Sequence, residues 1–173
     1  MATRILIRPQ HSEEAPRLNE TIGQAAWLSA FRHLLPVEAM ESHFAGHLDV
    51  TCDYWTQRGE RLDRFVAELD GEAVGFIGLG TYAGGEGEVR SLYVSPSRQG
   101  QGVGQALWEH AIAIFRKRGI SAVNVWTLAG ANSCRFYEAM GCEPIGTGTL
   151  FLGPHSATCV HYRLELPSTE AAQ

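Results

Sequence analysis

The chain of 173 residues has no apolar run approaching the roughly 20 residues of a membrane span, which leaves a transmembrane helix without a candidate. Its opening, Met1-Ala2-Thr3-Arg4-Ile5-Leu6-Ile7-Arg8, has too short an apolar core for a secretory signal, so the cytoplasm is the expected compartment. Positive charge is in deficit: 14 Lys and Arg stand against 19 Asp and Glu, a net −5. That balance argues against non-specific nucleic-acid binding and tilts toward cationic partners such as amines. Cys52, Cys134, Cys142 and Cys159 form no Cys-x-x-Cys pair, so free thiols are expected, with no disulfide and no structural zinc. His43 and His47 share a helical i, i+4 spacing but have no intervening glutamate and no third ligand nearby, and read as packing or surface histidines, not as a metal grip. No internal repeat, low-complexity tract or linker divides the chain, and one domain over residues 1–166 with a short tail at 167–173 is expected.

What is present is concentrated between Glu88 and Trp108. Val89 to Val94 is rich in β-branched and aromatic residues and stops at Ser95-Pro96, where proline lacks the N–H a ladder needs. From Val103 the apolar residues Val103, Ala106, Leu107, Ala111, Ile114 and Phe115 recur at helical spacing, and Arg116-Lys117-Arg118 followed by Gly119 marks the helix end. Between strand and helix lie Gly100, Gly102 and Gly104. Closely spaced glycines ahead of a helix N-terminus bring backbone N–H groups close to an anion, and a phosphate is the natural guest. A Walker A loop is excluded, because Gly104 is followed by Gln105-Ala106 where lysine and a hydroxyl are required. A dinucleotide fingerprint fails too: the spacing is Gly-x-Gly-x-Gly, and Ile120-Ser121-Ala122 stands where an acid is needed.

Elsewhere, Arg4 to Arg8 reads as a strand, Ser12-Glu13-Glu14 as a helix start leading to Leu34, and Val37 to Gln57 as a second helical region after Pro36. Arg64–Leu69 and Ala73–Gly80 read as strands joined by Asp70-Gly71, a hairpin signal because a type I′ turn needs positive φ twice. Ala83 to Gly87 connects them to the central strand as a meander. Ala122–Leu128 is a further strand, Asn132–Met140 a short helix capped by Asn132, and Thr147–Leu152 with Thr158–Leu166 a hairpin across Gly153-Pro154.

Gln99-Gly100-Gln101-Gly102-Val103-Gly104 resembles motif A of the GNAT acetyltransferase superfamily, Gln/Arg-x-x-Gly-x-Gly/Ala. Asn132-Ser133-Cys134-Arg135-Phe136-Tyr137-Glu138-Ala139-Met140-Gly141-Cys142 resembles the same family's Asn-x-x-x-x-x-Tyr-x-x-x-Gly-Phe helix, departing only at Cys142, where an aromatic is usual. The element order is similar over nearly the whole chain, which implies an α+β GNAT fold: a mixed, mostly antiparallel central sheet flanked by helices. The resemblance also implies acetyl-coenzyme A as acyl donor, held by Leu92, Val94, Gln99, Gly100, Gln101, Gly102, Val103, Gly104 and Asn132, with no metal. It implies Tyr137 as the acid that protonates the departing thiolate, Glu88 as the carboxylate that deprotonates the amine, and the Val94 N–H as oxyanion donor. Trp27, Phe31, Tyr82, Phe151 and His155 mark the expected acceptor region. The expected activity is acetyl transfer to a primary amine of a small molecule or peptide by direct attack in a ternary complex. The rivals are a non-catalytic acyl-coenzyme A-binding or regulatory domain and a protein lysine or N-terminal acetyltransferase. A covalent route through Cys134 ranks below these, since no histidine adjoins it in sequence. The resemblance also puts a homodimer among the assemblies to expect.

Overall fold

The computed structural model describes residues 4–47, 61–82 and 84–167, without the side chains of residues 45–47 and 61. Cys52, the side chain of His47, the stretch 48–57 of the expected second helical region and the tail beyond 167 lie outside the described residues. The elements are β1 (Ile5–Pro9), α1 (Ala15–Leu18), α2 (Gln24–Phe31), α3 (Val37–His47), β2 (Arg61–Leu69), β3 (Glu72–Thr81), β4 (Gly87–Val94), α4 (Val103–Lys117), β5 (Ala122–Leu128), α5 (Asn132–Ala139), β6 (Glu143–Leu152) and β7 (His155–Glu165).

The strands form one seven-stranded sheet in the order β1-β2-β3-β4-β5-β7-β6. Every pairing is antiparallel except β4 with β5, which is parallel and is bridged by α4. Strands β2, β3 and β4 are the meander that their spacing implied. Asp70 at φ 52° and Gly71 at φ 81° supply the two positive angles of the type I′ turn.

The helix α4 buries Val103, Leu107, Trp108, Ala111, Ile112 and Phe115. Trp108 and Ile112 therefore stand in the buried stripe where periodicity put Ala106 and Ile114. The stripe is rotated because α4 has two neighbours: it packs on the sheet, and Trp108 also meets Phe136 and Tyr137 of α5 at ring-centroid distances of 6.5 and 5.6 Å. The main core lies between this sheet face and α4 with α5; two smaller clusters lie on the opposite face under α1, α2 and α3.

The first helical stretch is less regular than its sequence suggests. Residues 12–14 form a 3₁₀ turn, with Ser12 inside it and not capping it, and Asn19–Gly23 is a π turn between α1 and α2. Glu14 fastens the start, accepting from the His11 N–H at 2.9 Å and from Arg8 at 2.7 Å, while Arg8 also reaches Glu68 on β2 at 2.7 Å. Asn132 is likewise the first residue within α5 instead of its cap, which is Ala131, whereas Gly141 ends that helix at φ 88° as expected.

Candidate active site

Strands β4 and β5 pair over three positions only, Gly87↔Val123, Glu88↔Asn124 and Val89↔Val125. On the other side of β4, Leu79 faces Val89 and Gly78 faces Ser91, so Arg90 is an extra residue, a β-bulge that bends the strand. Beyond it β4 and β5 separate. The gap opens into a cavity of about 600 Å³ floored by Val89–Val94 and Val125–Leu128, roofed by α2, and lined also by the glycine loop and α5.

The loop enters this cavity in a form that only glycine accommodates at two points, Gly100 at φ 76° and Gly102 at φ 84°. Gly102 is the N-cap of α4 and accepts its first helical hydrogen bond, from Ala106 N–H at 2.9 Å, yet has no side chain to cap with. Among the described residues, the N–H groups of residues 99–105 donate to no protein acceptor. They stand unpaired at the electropositive end of a 15-residue helix. The Gln99 side chain turns back and donates to the Val94 carbonyl at 3.2 Å, fixing the loop to the end of β4.

Leu92, Val94, Gln99, Gly100, Gly102, Gly104, Asn132 and Tyr137 all line this cavity, as do Trp27 and Phe31 of the expected acceptor region. Val103 is instead 1% exposed in the core, and the Gln101 side chain points to the Ser97 carbonyl at 3.4 Å. Neither Gln101 nor Val103 is among the residues that line the cavity. Tyr137 is buried among the rings of Trp108, Phe136 and Tyr162, and its hydroxyl has no hydrogen-bond partner among the described residues. Burial pushes its pKa well above the ordinary phenol value, so it remains a proton donor.

Glu88 lies beside the cavity and not on its wall. It accepts a short hydrogen bond from the Tyr82 hydroxyl, and the Arg90 guanidinium, itself 5.6 Å from the Tyr82 ring centre, approaches it to 3.3 Å. Tyr82 is thus a partner of Glu88, and Phe151, 74% exposed, and His155, exposed near the tip of the β6–β7 hairpin, do not line the cavity. His43 packs as a stacked ring on Trp27 at 4.8 Å. Cys134, Cys142 and Cys159 are free thiols; Cys134 donates to the Leu128 carbonyl at 3.4 Å, and burial pushes Cys142 up to about 11.

Sequence reasoning missed Trp126, Leu150 and Cys159, which also wall the cavity, and Tyr93, whose hydroxyl accepts from Trp27 Nε1 at 2.8 Å across the roof. Trp126 was hidden because it sits in an apolar strand with no alternation to betray an exposed position. Among the described residues no group of three or more His, Cys, Asp or Glu side chains is placed to hold a metal, and no helix is long and apolar enough to cross a membrane.

The uncharacterised N-acetyltransferase YuaI of Bacillus subtilis is 26% identical over 124 residues, covering 69% of this chain and 70% of that protein. A mycothiol acetyltransferase of Acidothermus cellulolyticus is 35% identical over 103 residues, half of this chain and 32% of that protein. An uncharacterised N-acetyltransferase of Methanocaldococcus jannaschii is 29% identical over 96 residues, and the match spans 42% of its length. The chain thus spans less than half of the latter two relatives. Among solved structures, the PaiA N-acetyltransferase of Thermoplasma acidophilum in complex with coenzyme A superposes with a TM-score of 0.77 at 21% identity, over 91% of this chain and 98% of that one. YncA from Salmonella typhimurium, with its cofactor acetyl-CoA, gives 0.66 at 18% identity over 98% of both chains. At such identities these likenesses speak for the fold. The GNAT acetyltransferase family model matches residues 27–142, from the roof of the cavity to the end of α5, and the chain belongs to that family.

Proposed function

We propose that this protein is an acetyl-coenzyme A-dependent N-acetyltransferase acting on a primary amine, and that transfer occurs by direct attack with both substrates bound. The observation that carries the reading is the row of unpaired N–H groups at residues 99–105, presented by two left-handed glycines at the start of α4 into the cavity that Tyr137 also lines. Such a cradle fits a diphosphate: the donors are unsatisfied, the helix end is electropositive, and no side chain of Gly100, Gly102 or Gly104 obstructs approach. The diphosphate and pantetheine arm of coenzyme A would lie against the loop and Leu92, Val94 and Asn132, and the bound thioester supplies the activated acetyl group.

The residues then divide the proton work. Tyr137, kept protonated by burial and free of competing partners, donates its hydroxyl proton to the leaving sulfur. The backbone at Val94 supplies the donor for the carbonyl oxygen. Glu88, next to the bulge, provides the negative charge that draws an ammonium toward β4 and receives its proton through water.

Calorimetry with coenzyme A, followed by thiol release from acetyl-coenzyme A across a panel of amines, tests the reading. Saturable binding and amine-dependent thiol release are expected. Absence of coenzyme A binding ends the proposal, and binding without thiol release for any amine turns it into a non-catalytic acyl-coenzyme A-binding domain.

A further inference from the structure

The two ends of the cavity differ in chemistry. At one end lie the amide cradle and Tyr137. The other end, beneath α2, is walled by Trp27, Phe31, Trp126, Leu128, Leu150 and Cys159. Among the described residues that line the cavity, Arg90 alone carries a charge, and Glu88 stands 3.3 Å from it. No Asp or Glu side chain is among those described lining residues. A second ammonium group on an acceptor would therefore be taken from water with no carboxylate among the described wall residues to meet it, which is unfavourable.

Trp126 is 45% exposed and lies one residue past the last β4–β5 pair, where the two strands have parted. Its ring is held as a fixed plate. His161 of β7 stacks on it, ring centres 4.3 Å apart and planes within 14°, and His161 Nε2 lies 2.8 Å from Asn124 Oδ1. Asn124 donates its amide N–H groups to Glu86 at 2.9 Å and to the Gly87 carbonyl at 3.3 Å, which leaves Oδ1 as the acceptor and His161 Nε2 as the donor. Glu86 is in turn fastened by Arg163 at 2.9 Å. Beyond the plate, β6 offers no bulk: a Cβ at Gly146 would meet nothing within 4 Å, and one at Gly148 would sit 3.0 Å from Trp126 Cζ3. A second hollow of about 340 Å³ shares Trp126, Leu150 and Cys159 with the main cavity and runs out to Gly148 and Thr149.

Resting on the acetyl-transfer reading above, we infer that the acceptor is a primary amine borne on a planar, apolar body such as an aryl group, with Trp126 as the wall it packs against. Polyamines and other polycations are discriminated against. A ring carried on a short aliphatic amine gains offset or edge contact with a pre-oriented indole and with Trp27 and Phe31, while its single ammonium reaches the β4 bulge.

The test compares 2-phenylethylamine with spermidine. In thiol-release assays 2-phenylethylamine is expected to give at least tenfold higher kcat/KM; Trp126→Ala is expected to raise its KM about tenfold with little change in kcat, and Trp126→Phe to restore most of the loss. Gly148→Val, which crowds the indole, should act as Trp126→Ala does. In parallel, each amine is titrated into protein saturated with coenzyme A, so that the wall is read without turnover. Binding of 2-phenylethylamine that is lost in Trp126→Ala supports the inference even if no acetyl transfer is seen. Equal or better use or binding of spermidine, or indifference of 2-phenylethylamine to Trp126→Ala, overturns it. Failure of the wild-type protein to bind coenzyme A is read separately and strikes the acetyl-transfer reading instead.

Discussion

Tyr137 shows how its surroundings set the acidity of one side chain. Its ring is packed on three others, its hydroxyl is unpaired among the described residues, and burial holds its proton well beyond the ordinary phenol range. Tyr137→Phe removes only the hydroxyl, so kcat is expected to fall by about 10²-fold or more, the usual contribution of a general acid, while coenzyme A affinity measured by calorimetry stays within twofold. The direction of the pKa shift carries a second expectation. A raised phenol pKa keeps the acid form populated above pH 10, so kcat should not decline between pH 9 and 10 on account of this residue; a fall there that disappears in Tyr137→Phe contradicts the assignment. Tyr137, Asn132 and the loop glycines were legible in sequence because they sit at fixed offsets in short motifs. Trp126, His161 and Asn124 were not, because their association is made by strand register across β5 and β7, 35 residues apart in the case of Trp126 opposite His161.

At the scale of the element, two glycines of neighbouring segments serve opposite purposes, and their substitution separates them. Gly102 sits at φ 84° with only Ile5 Cδ1 near, 4.0 Å from where a Cβ would be. Gly102→Ala is therefore a backbone change, expected to cost about 1–2 kcal/mol of stability in urea unfolding and to weaken coenzyme A binding at least tenfold as the loop N–H groups turn. Gly87 on β4 has the reverse character: a Cβ there would lie 2.6 Å from Phe115 Cε1. Gly87→Ala overpacks the contact between β4 and α4 and is expected to cost about 1–3 kcal/mol, with coenzyme A affinity unchanged once allowance is made for the unfolded fraction. Most elements could be drawn from periodicity and turn chemistry. The π turn at Asn19–Gly23 and the bulge at Arg90 could not: both insert a residue into a regular ladder, and that depends on what packs above and below, not on local propensity.

For the molecule as a whole, stability should respond to ligand and to pH. Binding to the folded state alone stabilises by RT ln(1 + [L]/Kd), about 2.7 kcal/mol at one hundred times Kd, so saturating coenzyme A is expected to raise the Tm by several degrees; no shift contradicts the cradle. Two imidazoles set an acid limit. His110, whose Nε2 is buried without a partner against Phe65, and His161, beneath Trp126, both have pKa values lowered chiefly by burial, with Lys117 and Arg163 adding to it. Folding thus favours the neutral rings, so this contribution is complete above the unfolded value near 6.5 and is lost as pH falls below it. The Tm is expected to drop between about pH 7 and pH 5, and His110→Leu to flatten that drop; an unaltered profile contradicts it. Glu14, lowered chiefly by its bond to Arg8, and Glu86, lowered chiefly by Arg163, act in a separate window: their stabilisation is present above the ordinary carboxylate range and lost as pH falls through their lowered values.

By itself the sequence determined the order and type of the elements, the meander, the strand-loop-helix unit and the pair of motifs that point to a diphosphate and a proton donor. Each is encoded within a few residues, where hydrophobic period, glycine φ and proline breaks act directly. Only the tertiary structure decided that β4 and β5 part after three pairs, that Glu88 stands beside the cavity with Tyr82 and Arg90, and that Trp126 is its plated wall. Those features arise where distant strands and helices meet, and the contacts that set them have no counterpart in local order along the chain.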